Sequence, residues 1–80
     1  MPRYYMHLVG RDSILLDTEG VELPFAAVPR HVRQSARDCI AGDVLEGRLE
    51  LGYCIKVQDE SGREVYRLEF VDALERFAKD

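Results

Sequence analysis

The sequence predicts an α+β fold: a four-stranded antiparallel sheet with one main helix packed on one face. Three observations lead to this prediction. Apolar residues recur at helical spacing in the middle of the chain, they alternate with polar residues before and after it, and turn-forming residues separate the alternating stretches. The predicted order is β-β-α-β-β, and two hairpins that flank one helix pack most economically as a single sheet beneath that helix.

The composition is that of one small globular domain covering residues 1–80. Hydrophobic residues make up 46% and charged residues 32% of the chain, which are ordinary globular values. A chain of this length buries only about 60–65% of its unfolded surface, so we expect a thin core. The net charge of −4 disfavours extended contact with nucleic acid or an anionic membrane. No apolar run approaches the roughly 20 residues that span a bilayer.

The first predicted strand covers residues 3–9. Its alternate residues form an apolar face that should point at the helix: Tyr4, Met6 and Leu8. The remaining residues form the face turned away: Arg3, Tyr5, His7 and Val9.

The elements that follow are short. A turn at 10–13 leads to a second strand at 14–16, and a turn at 17–20 leads to an extended segment at 21–23. Pro24 imposes an extended conformation on the residue before it, and a separate helical turn can begin at this proline.

The main helix is predicted from Pro29 to Glu46. Its apolar stripe, which should face the sheet, contains Val28, Val32, Ala36, Cys39 and Ile40. Gly42 costs about 1 kcal/mol relative to alanine in a helix and offers an alternative end point. We favour continuation to Glu46, with Gly47 as the stop.

The second hairpin contains the clearest alternation in the chain, over residues 49–58. The apolar members of this strand should face the helix: Leu49, Leu51, Tyr53, Ile55 and Val57. A turn at 59–62 leads to the last strand at 64–70, and Asp72 can cap a final helical turn that carries Leu74 and Phe77.

The register of this hairpin has two alternatives. A four-residue loop sets Gln58 opposite Arg63 and Ile55 opposite Tyr66, and it keeps the apolar faces of both strands together. A three-residue loop slips the pairing by one and sets Ile55 opposite Arg67. Because a slip of one exchanges the two faces of a strand, the sequence favours the four-residue loop.

The residues Met1-Pro2-Arg3-Tyr4, followed by His7, resemble the MPRYFFH-type start of a family of small uncharacterised bacterial proteins. The similarity continues through these positions: Asp17, Glu19-Gly20, Glu22-Leu23-Pro24, Ser35-Ala36-Arg37, Asp59-Glu60, Gly62 and Phe70-Val71-Asp72-Ala73-Leu74. The family is a domain of unknown function. The resemblance therefore implies a cytosolic, stand-alone bacterial domain, and it assigns no activity, catalytic residue or binding residue. Pro29 and Gly42 depart from the family pattern, which has good helix formers at these positions.

No motif in the chain points to catalysis, a cofactor or a metal. The soft metal ligands are not paired at zinc-binding spacing: His7, His31, Cys39 and Cys54. We expect Cys39 in the core, and two cysteines without a disulfide framework fit a reducing cytoplasm. The carboxylates of Asp17, Glu19 and Glu22 cluster without EF-hand spacing, so we interpret them as a solvated acidic turn. We therefore expect a protein that is not an enzyme.

Two surfaces remain as candidates for a function. The first is the sheet face that the helix does not cover, whose candidate interaction residues are Tyr5, His7, Val9, Cys54, Val65 and Arg67. This face would either form a homodimer or contact another protein, unless the C-terminal segment closes it through Leu74 and Phe77. The second is a nucleic-acid-binding or antitoxin-like face of the helix formed by Arg30, Arg33 and Arg37. We favour an interaction module that self-associates through its sheet.

Overall fold

The computed structural model describes residues 1–74, and it confirms the predicted α+β fold. The elements in chain order are β1 (Arg3–Val9), β2 (Ile14–Leu15), β3 (Val21–Glu22), a 3-10 turn (Phe25–Ala27), α1 (Val28–Leu45), β4 (Cys54–Gln58), β5 (Glu64–Glu69) and a second 3-10 turn (Phe70–Ala73). The molecule measures 35 × 33 × 18 Å. Its short dimension matches one helix layer on one sheet layer.

The sheet is antiparallel throughout and has the strand order β2-β1-β4-β5. β3 also pairs with β1, on the same edge as β2. β2 pairs with the end of β1, where Leu8 lies opposite Leu15, and β3 pairs with its start, where Tyr4 lies opposite Val21. Two short strands therefore share the outer edge of one long strand, an arrangement that the alternation of residues 14–23 did not indicate.

Helix α1 runs through Gly42 and ends at Leu45, which confirms the continuation favoured from the sequence. A Cβ atom at Gly42 would meet no other atom within 4 Å, so the glycine lies on the solvent side of the helix. Past the helix end, Gly47 has a φ of 87°, and its N–H donates to the carbonyl oxygen of Val44 over 2.9 Å. This left-handed residue is a common helix terminator.

The core lies between α1, the inner faces of β1, β4 and β5, and the two 3-10 turns. The buried helix residues are Val28, Val32, Ala36 and Ile40, as the apolar stripe predicts. The prediction that Cys39 belongs to this core is wrong, because Cys39 is exposed. Its position one residue before Ile40 turns it about 100° away from the buried line. Cys39 and Ile40 follow Ala36 by three and four residues, and both spacings fit an apolar stripe. The sequence pattern therefore does not show which of the two is buried.

The last hairpin differs from the prediction in length and register. The first strand begins at Cys54 rather than at 49, and the pairs across the hairpin are Ile55 with Leu68 and Val57 with Tyr66. The predicted pairing of Ile55 with Tyr66 is therefore wrong by two residues. Since two is the period of a strand, the predicted apolar faces are still the ones that point at the helix.

The loop and a bulge cause this shift. Asp59 accepts hydrogen bonds from the N–H groups of Ser61 and Arg63, both at 3.0 Å, and its own N–H donates to the carbonyl of Arg63 over 3.0 Å. The loop therefore closes across five residues. Gln58 then lies opposite Glu64 and Val57 opposite Tyr66, which leaves Val65 as the extra residue of a bulge.

The bulge changes the side to which Val65 points. Val65 and Tyr66 both pack against the core, so the prediction that Val65 belongs to the helix-free side of the sheet is wrong. The C-terminal turn begins at Phe70, and Asp72 lies inside it rather than at its cap. This turn packs on α1, where Arg37 donates to the carbonyl of Ala73 over 2.7 Å.

The C-terminal segment therefore lies on the helix side of the sheet as far as Leu74. Phe77, the other residue of the alternative in which the C-terminal segment closes the helix-free side, lies outside the described residues.

Candidate interaction surface

The sheet face opposite α1 carries the alternate residues of three strands. The cross-strand pairs Tyr5–Gln58, His7–Lys56, Val9–Cys54, Lys56–Arg67 and Cys54–Glu69 place their side chains on this side together. We call this surface the helix-free face and define it by these residues: Tyr5, His7, Val9, Cys54, Lys56, Gln58, Arg67 and Glu69. Five of the six predicted interaction residues lie on it, and Val65 does not.

The helix-free face is more polar than the alternation of the sequence predicts. Cys54 is only 6% exposed, so its thiol adds little accessible apolar surface. The apolar part that remains consists of Tyr5 and Val9, both half-buried. They lie on either side of His7 along β1, and the middle row across the sheet is His7, Lys56 and Arg67. The apolar residues of this face are therefore scattered among polar ones and do not form one apolar centre.

His7 is held in place by hydrogen bonds at both ring nitrogens. Its Nδ1 accepts a hydrogen bond from the backbone N–H of Asp17 over 3.0 Å, so the ring proton lies on Nε2. Nε2 is 3.1 Å from Oε1 of Gln58 and donates to it. His7 therefore ties the loop between β2 and β3 to the sheet, and both of its ring nitrogens have partners within the fold.

The carboxylate of Asp17 completes this connection. Its Oδ2 accepts from the N–H of Met6 over 3.0 Å, and its Oδ1 accepts from the N–H groups of Glu19 and Gly20 over 3.2 and 3.0 Å. Burial opposes ionisation of this carboxyl, but the three backbone hydrogen bonds outweigh it, and the pKa of Asp17 lies below its ordinary value. Asp17 is thus a structural residue of the turn, a role that the spacing of the acidic residues did not distinguish from a metal site.

The described residues 1–74 contain no group of three His, Cys, Asp or Glu side chains placed to bind a metal ion. Glu22, the third acidic residue of the turn region, pairs with Arg3 over 3.1 Å.

Arg67 and Glu64 form a two-point ion pair at the open edge of the sheet. Nε and Nη2 of Arg67 donate to the two carboxylate oxygens of Glu64 over 3.0 and 3.1 Å. These hydrogen bonds hold the pKa of Glu64 below its ordinary value. The bulge at Val65 makes this pair possible, because it brings residues three apart in a strand onto one face.

The arginine face of α1 is only partly available to a ligand. Arg30 and Arg33 are exposed, whereas Arg37 is half-buried and uses its Nε to bind the carbonyl of Ala73. The predicted trio of phosphate-binding arginines is therefore reduced to two, because Arg37 joins the helix to the C-terminal turn.

Cys39 lines a groove of about 380 Å³ between the flank of α1 and the β2 side of the sheet. Partial burial and the nearby carboxylates of Asp43 and Asp38 raise the pKa of its thiol, which keeps it protonated and weakly nucleophilic. His31 lines the same groove, but it lies eight positions before Cys39, which is a rise of about 12 Å along the helix axis. The two side chains therefore do not form a catalytic pair.

Within the described residues no helix combines the length and the apolar character needed to cross a membrane.

Comparison with known proteins identifies the family of the chain and says nothing about its activity. No curated protein and no solved structure matches the chain. The model of the family described as a domain of unknown function, DUF6894, matches residues 3–71, and the chain belongs to that family.

Proposed function

We propose that this domain is a non-enzymatic protein-interaction module that associates with itself through its sheet. The observation that carries the proposal is the two-layer architecture. One helix covers one face of the sheet, and within residues 1–74 no element covers the other. An uncovered sheet face that carries Tyr5 and Val9 among charged and amide side chains favours a protein partner.

The contacts and surroundings of the two most reactive side chains, His7 and Cys39, support a role without catalysis. Both nitrogens of His7 are hydrogen-bonded within the fold, and the raised pKa of Cys39 disfavours its thiolate form. Both cysteines are free thiols, which supports a reducing compartment such as the bacterial cytoplasm as the place where the protein works.

The test is a dilution series of amide NMR spectra and translational diffusion, from about 1 mM to about 10 µM, the range in which small interfaces dissociate. We expect slower diffusion at high concentration, with shift changes at sheet residues such as Tyr5, Lys56 and Glu69. Arg30 and Arg33, on the exposed side of α1, serve as internal controls and should not shift. Constant diffusion across the series would contradict the proposal, and shifts confined to the helix would contradict its assignment to the sheet.

A further inference from the structure

The outer edge of β1 has partners within the fold at Tyr4, Met6 and Leu8. Tyr4 pairs with Val21 of β3, and Leu8 pairs with Leu15 of β2. Between these two strands the N–H of Met6 donates to the carboxylate of Asp17 over 3.0 Å. This edge offers no stretch of free backbone groups to another strand.

The opposite edge of the sheet is formed by β5, and no strand within residues 1–74 pairs with its outer side. The N–H of Phe70 donates to the carbonyl of Tyr53 over 2.9 Å, so Phe70 directs its backbone groups towards β4. Because the direction alternates along an antiparallel strand, Leu68 also faces β4, and Arg67 and Glu69 direct their N–H and C=O groups outward.

The two outward-facing residues carry opposite charges. Arg67 and Glu69 are both exposed and lie two apart, so their side chains share the helix-free face. Within the described residues Glu69 forms no salt bridge, although its charge acts favourably on Arg67 two residues away. Arg67 gives two of its five N–H donors to Glu64. Each chain thus presents one carboxylate without a direct salt bridge and one cation with donors to spare.

We propose that two copies of this chain pair through the outer edges of β5, antiparallel, with Leu68 on the two-fold axis. In this register Arg67 of each copy lies opposite Glu69 of the other, and each such pair exchanges two backbone hydrogen bonds. A register shifted by two residues sets Arg67 against Arg67 or Glu69 against Glu69. A register shifted by one sets outward backbone groups against inward ones. Over the regular part of β5, from Tyr66 to Glu69, only one register matches both the backbone and the charges.

This inference rests on the proposed self-association and places the contact at the β5 edge of the sheet rather than across the whole helix-free face, with a second copy of the chain as the partner. The resulting contact is isologous and joins two sheets into one, a form of strand addition. It is also short, so the dimer is a weak one. Charged residues and a bulge at a sheet edge also occur where an edge must stay unpaired, and the experiment separates these two roles.

The experiment is a charge swap read by sedimentation velocity and light scattering over about 10 µM to 1 mM. Arg67→Glu and Glu69→Arg each replace two opposite-charge pairs with two like-charge pairs, so each should raise the dissociation constant about tenfold or more. The double variant Arg67→Glu/Glu69→Arg restores opposite charges in the same register and should dimerise again. Arg33→Glu and Glu60→Arg make the same changes of net charge at exposed sites away from the edge and should leave the dimer intact.

The outcomes distinguish this inference from the proposed function on which it rests. A dimer that both single variants leave unchanged would overturn pairing through β5 and leave self-association standing. Loss of the dimer in both single variants without recovery in the double variant would overturn the register. A wild-type chain that remains monomeric at the highest concentration would overturn both proposals. Circular dichroism of each variant verifies that the fold is retained.

Discussion

Replacing Asp17 with asparagine tests the connection that holds the β2–β3 loop against β1. The carboxylate accepts three backbone hydrogen bonds, from Met6, Glu19 and Gly20. The asparagine side chain has one oxygen and one NH₂ group. Its oxygen can accept either from the N–H groups of Glu19 and Gly20 or from the N–H of Met6, but not from both sites. In the first arrangement two donors, the NH₂ group and the N–H of Met6, face each other.

The expected cost follows from these contacts. The N–H of Met6 is partly buried, and leaving one such donor without an acceptor costs about 1–3 kcal/mol. We expect Asp17→Asn to lower the free energy of unfolding by about 2 kcal/mol at pH 7. For a domain of this size each 1 kcal/mol corresponds to about 4–8 °C in the melting temperature. Urea unfolding and thermal melts followed by circular dichroism measure both quantities.

The pH dependence gives a second readout of the same residue. Because the pKa of Asp17 is lowered in the folded state, its carboxylate stabilises the fold above the unfolded-state pKa of about 3.9. This contribution is lost as the pH falls through the folded-state pKa. The difference in stability between wild type and Asp17→Asn should therefore shrink as the pH is lowered from about 5 to about 3.

Asp12→Asn is the matched control, because Asp12 is an exposed aspartate of the neighbouring turn. It should change stability by less than about 0.5 kcal/mol. An Asp17→Asn variant as stable as wild type at pH 7, or a difference between them that grows towards acid pH, would contradict this role of Asp17.

Three further predictions concern the core, the bulge and the thiols. Ile40→Ala should cost about 2–4 kcal/mol because it empties a buried position, whereas Arg33→Ala on the exposed side should cost less than about 0.5 kcal/mol; equal melting shifts would contradict the assigned faces of α1. Val65→Glu should strongly destabilise the monomer in urea unfolding, because the bulge turns this side chain towards the core. An unchanged urea midpoint would indicate that Val65 points to the helix-free face instead. Under native conditions a maleimide should label Cys39 slowly and Cys54 only after unfolding, as judged by mass spectrometry of peptides; rapid labelling of Cys54 would contradict its burial.

Local patterns in the sequence determined which faces of the elements are buried. The spacing of Val28, Val32, Ala36 and Ile40 marks one side of a helix wherever that helix packs, and the structure buries all four. The alternation of Ile55 and Val57 does the same for a strand. These features follow from the period of the backbone, which is a property of neighbouring residues and needs no knowledge of the partner.

The tertiary structure decided which strands pair with each other and in which register. The loop held by Asp59 and the bulge at Val65 set the register of the second hairpin, and both depend on hydrogen bonds that any apolar pattern leaves open. The pairing of β2 and β3 on one edge of β1 relies on Asp17 reaching an N–H 11 residues away. The candidate surface changed for the same reason: a two-residue period assigns Val65 to one face, and a single extra residue in the ladder moves it to the other. Such long-range choices rest on the energy of specific contacts between distant residues, and the periodicity of the chain does not encode them.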